Sequence, residues 1–170
     1  MIGVGKDFPD FNYLEGVNPS NEIVSIDMYS QMSTSDWKVV YFYPKDFTFI
    51  CPTEISQMDI LTEHASVIGI SGDNEFCKLA WKQSNPMIEN INHILAADCG
   101  LDLANELGIV QDGVCLRATY IVDTSGTIQH VSVNALDTGR NAHEILRTLK
   151  ALQAGGLTGC NWQEGEDFVA

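Results

Sequence analysis

Residues Lys38 to Glu54 of this chain run KVVYFYPKDFTFICPTE. Lys38–Tyr43 is aromatic and β-branched, the composition of a strand covered on both faces. A loop carrying Pro44 and Asp46 follows, and Cys51-Pro52 then opens a helix. Ile55, Met58, Leu61 and Ala65 recur at helical steps and define its inner face. Ser66–Ser71 (SVIGIS) reads as a second central strand. Strand, helix and strand in that order give a parallel pair with a crossover helix.

The pattern continues outward. Asp73 is expected to cap a helix whose inner face is Phe76, Leu79 and Ala80. His93–Ala97 reads as a short strand, and Leu101–Leu107 as a short helix stopped by Gly108. Ala118–Asp123 and Thr127–Val133 flank Thr124-Ser125-Gly126, a hairpin with a glycine in its turn. Asn141 and Glu144 have the spacing of a capping box. The helix they open would bury Ala142, Ile145, Leu146, Leu149 and Leu152 and stop before Gly155-Gly156. Leu157–Ala170 is polar, acidic and without periodicity. The order βαβαβαββα, after an N-terminal stretch, predicts a three-layer α/β domain with a central mixed sheet. A thioredoxin-like sheet satisfies it. The expected division is a domain at 1–156 and a C-terminal tail at 157–170.

At 170 residues the chain has the length of one domain. Its formal net charge of −14 disfavours nucleic acid and anionic membrane surfaces as partners. No apolar run approaches the ~20 residues that span a bilayer. The opening MIGVGKDFPDF does not have the apolar stretch of an export signal, so the expected location is cytoplasmic. The five cysteines, Cys51, Cys77, Cys99, Cys115 and Cys160, form no CxxC pair. That argues against a zinc ribbon and against a two-cysteine disulfide reductase. Chemistry is a better expectation for these thiols than scaffolding. The four histidines show no metal-binding spacing.

Cys51 falls in the first turn of its helix. Unpaired N–H groups and the positive end of the helix dipole gather there, and both favour thiolate over thiol. Pro52 suits a first turn, since its nitrogen has no proton to leave unpaired. Thr48 stands three residues before Cys51 and offers a hydroxyl, while Phe47, Phe49 and Ile50 can wall off water. Taken alone, a cysteine here would more often be a small buried hydrophobe.

Pro44, Thr48 and Cys51, followed by Pro52-Thr53-Glu54, resemble the active-site motif of peroxiredoxins. YFYPKDFTFICPTE is similar to the typical two-cysteine subgroup, which includes the peroxidase component of alkyl hydroperoxide reductase. Further matches occur in the family's order: Ser71-Gly72-Asp73, Leu79-Ala80-Trp81, Arg117-Ala118-Thr119, Gly139-Arg140-Asn141 and Cys160-Asn161-Trp162. The last of these and the short acidic tail after it resemble the mycobacterial-type branch.

The resemblance implies a thiol peroxidase for hydrogen peroxide and organic hydroperoxides, serving antioxidant defence. Cys51 would be the peroxidatic thiolate and pass through a sulfenic acid. Thr48 would hydrogen-bond the sulfur and the peroxide. Arg117 would stabilise negative charge, Pro44 and Pro52 would shape the pocket, and Glu54 and Arg140 would orient Arg117. Cys160 would be the resolving thiol, forming an intersubunit disulfide with Cys51. No metal or organic cofactor is implied. The implied partners are a small peroxide and a protein thiol reductant. That reductant could be thioredoxin-like, a flavoprotein subunit or a carboxymuconolactone-type protein. A homodimer assembling into a ring such as a decamer is also implied. A ring-forming holdase chaperone or a redox-sensing module on the same fold is the alternative. No GGLG segment precedes Arg117 and no Tyr-Phe pair follows Cys160. In this family those absences imply resistance to over-oxidation. Cys77, Cys99 and Cys115 match no motif, and Trp81 reads as core.

Overall fold

The computed structural model describes residues 1–170 and forms two compact units, Met1–Arg140 and Asn141–Ala170. The first unit is built on a seven-stranded mixed sheet, and its strands in chain order are β1 (Tyr13–Val17), β2 (Ile23–Asp27), β3 (Lys38–Phe42), β4 (Ser66–Ser71), β5 (Ile94–Ala97), β8 (Arg117–Val122) and β9 (Ile128–Asn134). Their spatial order is β2-β1-β5-β4-β3-β8-β9. The parallel centre, β3 to β4 to β5, is the part legible from the buried-strand composition. Every residue of β3 is buried, as is all of β4 after Ser66. A two-stranded ribbon, β6 (Val110–Gln111) with β7 (Val114–Cys115), precedes β8.

The helices of this unit are α1 (Met28–Met32), α2 (Cys51–Met58), α3 (Glu75–Ser84) and α4 (Asp102–Leu107). In α2 the helix starts at the expected residue but tightens into a 3-10 turn at Asp59–Glu63 before reaching Ala65. The hairpin of β1 and β2 in the N-terminal stretch, with α1 behind it, was not expected from the sequence. Its strands alternate only weakly and include Gly16 and the charged Glu15.

α3 corrects two expectations. Its cap is Asn74, whose side chain accepts the Cys77 N–H at 2.8 Å, and not Asp73. Asp73 is occupied instead by the Asp46 N–H, at 2.7 Å. The buried face is Lys78, Trp81 and Lys82; Phe76 and Ala80 are exposed and Leu79 is half-buried. Both lysines find oxygen partners inside, which an apolar periodicity cannot register. At α4, Asp98 accepts from the N–H groups of Leu103 (3.2 Å) and Ala104 (2.8 Å), doing the work of a cap from the end of β5.

Gly69 on β4 faces Tyr41 on β3 in register, and a Cβ there would collide with the Tyr41 ring and hydroxyl. The glycine makes room for Tyr41 to reach His93 at 2.7 Å, and His93 in turn meets Asp59 at 2.8 Å.

The second unit is α5 (Ala142–Ala154) and the segment after it. Asn141 caps α5 by accepting the Glu144 N–H at 3.0 Å, as its spacing predicts. Ala142, Ile145 and Leu149 are buried, while Leu146 and Leu152 are only half-buried. The final segment has local order that its composition did not suggest. Trp162 stacks on Phe168 at 6.4 Å, its indole N–H donates to Glu166 O, and Val169 N–H donates to Leu157 O. No helix of the chain is long and apolar enough to cross a membrane.

Candidate active site

β3 delivers the chain, fully buried, to the loop Tyr43–Ile50, and α2 begins at Cys51. The cap residue, Ile50, has no side chain that could cap the helix, and its carbonyl accepts the N–H groups of Thr53 at 3.0 Å and Glu54 at 3.3 Å, so what the helix start offers Cys51 is the positive end of its dipole. Cys51 is 1% exposed, whereas Phe49, two residues earlier, is 95% exposed. Pro52 is buried beside the sulfur-bearing residue at the position where a proline costs no hydrogen bond.

Arg117 is the first residue of β8. The β3–β8 pairing ends at Tyr41↔Thr119, so Arg117 projects past it, toward the loop. Its Nη1 donates to Cys51 Sγ at 3.4 Å and to Glu54 Oε2 at 2.7 Å, and its Nε donates to Leu136 O at 2.7 Å. Burial alone would lower the Arg117 pKa. The hydrogen bond to Cys51 and the Glu54 charge outweigh it and hold the group above its ordinary value, so it remains a cation.

Glu54 lies three residues after Cys51 on the same face of α2 and is buried. Its carboxylate is shared between two guanidiniums. Arg140 brings Nε to Oε1 at 3.0 Å and Nη2 to Oε2 at 3.3 Å, and its backbone N–H also donates to Oε1, at 3.1 Å. The rest of Arg140 is equally committed. Nη1 donates to Ala118 O and Thr119 Oγ1, Nη2 donates to Phe42 O, and the guanidinium lies 5.1 Å from the Tyr41 ring centre. Asn134 on β9 shapes the approach to Arg140 by donating to the carbonyls of Thr138 and Gly139. Arg117, Glu54 and Arg140 thus form one buried cluster behind Cys51.

Thr48 sits in the loop, and its hydroxyl proton goes to Lys45 O at 2.8 Å. Pro44 is half-buried and borders, with Lys45, Gly72 and Asp73, an open cavity of about 270 Å³. Cys160 is exposed in the second unit, and all five thiols are free. Two clusters were not anticipated from sequence: Asp46 with Tyr43, Ser71 and Lys78, and Tyr41 with His93 and Asp59. Their one sequence signal is polar residues set inside apolar runs, Lys78 before Leu79-Ala80-Trp81 and Tyr41 within KVVYF.

The profile of the AhpC/TSA family matches residues 4–131, which include the Cys51 turn and Arg117. The chain belongs to the AhpC/TSA family. Within the family, the alkyl hydroperoxide reductase C of Mycolicibacterium smegmatis is 35% identical over 183 residues, covering 99% of this chain and 94% of that protein. Among solved structures, the reduced 2-Cys peroxiredoxin of Plasmodium vivax superposes with a TM-score of 0.90 at 32% identity, over 98% of this chain and 92% of that one. The AhpC of Mycobacterium tuberculosis gives 0.84 at 33% identity, over 96% and 99%. The fold is therefore thioredoxin-like, as peroxiredoxins are.

Proposed function

We propose that this AhpC/TSA member is a thiol peroxidase for hydrogen peroxide and organic hydroperoxides, with Cys51 as its nucleophile. The observation that carries the reading is the buried Cys51 sulfur at a helix start with a guanidinium N–H 3.4 Å away. A thiolate there attacks one peroxide oxygen. The S–O bond forms as the O–O bond breaks, Cys51 becomes a sulfenic acid, and the departing oxygen takes a proton to leave as water or an alcohol. Arg117 faces the charge that moves from sulfur to oxygen. Thr48 can turn its hydroxyl from Lys45 toward the peroxide, and Pro44 and Pro52 limit the approach.

Cys160 then attacks the sulfenic sulfur of a partner subunit, and water leaves as the disulfide forms. A disulfide needs Cα atoms within ~7 Å, which a buried first-turn cysteine meets only if that turn unwinds. In this reading residues 1–156 are the catalytic domain, 157–170 are the tail that carries the resolving thiol, and the working unit is a dimer, assembling into a ring such as a decamer. A thioredoxin-like, flavoprotein or carboxymuconolactone-type thiol protein reduces the disulfide in the cytoplasm.

The test is peroxide consumption with each class of reductant, for the wild type, Cys51→Ser and Cys160→Ser, with non-reducing electrophoresis after one equivalent of peroxide. Turnover lost in Cys51→Ser and a dimer band lost in both variants is the expected result. Turnover that survives Cys51→Ser refutes the reading. A full disulfide-linked dimer in Cys160→Ser refutes the role of Cys160.

A further inference from the structure

The loop that presents Cys51 is tied down by a cation that does not touch the sulfur. Lys78 on α3 is fully buried. Its ammonium meets Asp46 Oδ1 at 3.2 Å, Asp46 Oδ2 at 3.4 Å, the Tyr43 hydroxyl at 3.1 Å and the Ser71 hydroxyl at 2.5 Å. It also lies 5.1 Å from the Tyr43 ring centre. Asp46 is held from other directions as well. The hydroxyls of Tyr43 and Ser71 donate to its Oδ1 at 2.8 and 3.0 Å, and its own N–H donates to Asp73 Oδ2 at 2.7 Å.

Two features show what this cluster holds. Phe47, the next residue after Asp46, has φ +56°, a left-handed conformation that a bulky side chain keeps only where its surroundings impose it. The Phe47 ring packs on Trp81 at 6.0 Å, three residues past Lys78 on the same helix. The bond of Thr48 to Lys45 stays inside the loop, so Asp46 and Phe47 are where the loop grips α3. A buried ion pair is a poor way to gain stability, because desolvation offsets much of its attraction. What it supplies here is direction, four bonds converging on one ammonium next to the strained turn.

We propose that Lys78 is a positioning residue for the Cys51 reaction. By fixing Asp46 it sets the Phe47 turn, and through that turn the placement of Thr48 and the start of α2. The proposal rests on the peroxidase reading above.

The experiment compares the wild type with Lys78→Met and with the double variant Asp46→Asn/Lys78→Met, which leaves no lone buried charge. Three quantities are read on reduced, folded protein: the rate of Cys51 oxidation by hydrogen peroxide, the rate of Cys51 alkylation by iodoacetamide, and tryptophan emission, where Trp81 reports the loop. Both rates are expected to fall on the order of 10- to 100-fold in both variants, with an altered emission spectrum. The double variant should regain much of the stability but not the rates. Wild-type rates in folded Lys78→Met, or in the double variant should the single one not fold, overturn the proposal. Alkylation needs no peroxide, so it judges the positioning claim separately. A wild type that alkylates rapidly yet reduces no peroxide refutes the peroxidase reading instead.

Discussion

Arg117 Nη1 is shared between two acceptors on one turn of one helix, Cys51 Sγ at 3.4 Å and Glu54 Oε2 at 2.7 Å. The nitrogen that faces the Cys51 sulfur is therefore the nitrogen that is anchored, and its aim depends on the carboxylate as much as on its own strand.

Arg117→Lys keeps a positive charge but loses the fork that reaches Cys51, Glu54 and Leu136 together. The rate of Cys51 oxidation by hydrogen peroxide, followed by stopped-flow tryptophan fluorescence, should fall about 100- to 1000-fold. A loss smaller than about threefold would show that charge alone suffices, without direction.

Glu54→Gln leaves two buried guanidiniums facing an uncharged amide. Because Arg117 and Arg140 lose a shared counter-charge inside the fold, unfolding free energy in urea should drop by about 3–5 kcal/mol. A drop below about 1 kcal/mol is what an exposed ion pair would give, and would contradict the burial of this one.

Burial raises the Cys115 thiol to about 12, and burial with the Asp46 and Asp73 charges raises Cys77 to about 11. At a pH near 8 their thiolate fractions are roughly one in ten thousand and one in a thousand. Iodoacetamide labelling of the native reduced protein, read by mass spectrometry, should therefore modify the exposed Cys160 well before Cys77, with Cys115 last. Equal labelling of Cys115 and Cys160 would overturn this order.

Burial pushes His93 below its ordinary value, against the pull of Asp59. Burial would raise Asp59, but bonds from His93 and Asn92 hold it low. The folded chain resists a proton that an unfolded histidine accepts near pH 6.5. Stability is thus complete above that pH and declines as pH falls through it toward the lower folded value. The Asp59 contribution persists to more acid pH and is lost only as pH falls through its depressed folded value. His93→Gln should be less stable than the wild type near pH 8, yet lose less between about pH 7 and pH 5.5, measured by urea midpoints. Parallel profiles for the two proteins would assign the acid sensitivity elsewhere.

The parts of the fold that were legible in sequence are those where local chemistry and burial agree. Lys38–Phe42 and Ser66–Ser71 announce themselves because both of their faces are apolar. Asn141 announces the start of α5 because a cap is a local bond. The place of Cys51 at the start of α2, with Pro52 in the first turn, was legible because these residues are neighbours in the chain, while the grouping of Glu54 with Arg117 and Arg140 came from family resemblance. What was missed depends on distant partners. Lys78 and Lys82 face inward because oxygen atoms of Asp46, Ser71, Asn18 and Pro19 await them, and no helical period encodes that. The β1–β2 hairpin is held by β5, more than seventy residues later in the chain, through pairings such as Gly16↔Ala96.

The Arg117–Glu54–Arg140 cluster holds two positive charges and one negative. A thiolate at Cys51 makes the sum zero, but a sulfenic acid is uncharged and leaves one positive charge in excess. Oxidation of such a thiolate would remove a counter-ion from the interior at the residue where α2 begins. In a peroxidase cycle the sulfur would then be both reactant and latch, and the same displacement that cleaves the peroxide would take away the charge that faces Arg117 across the first turn of α2.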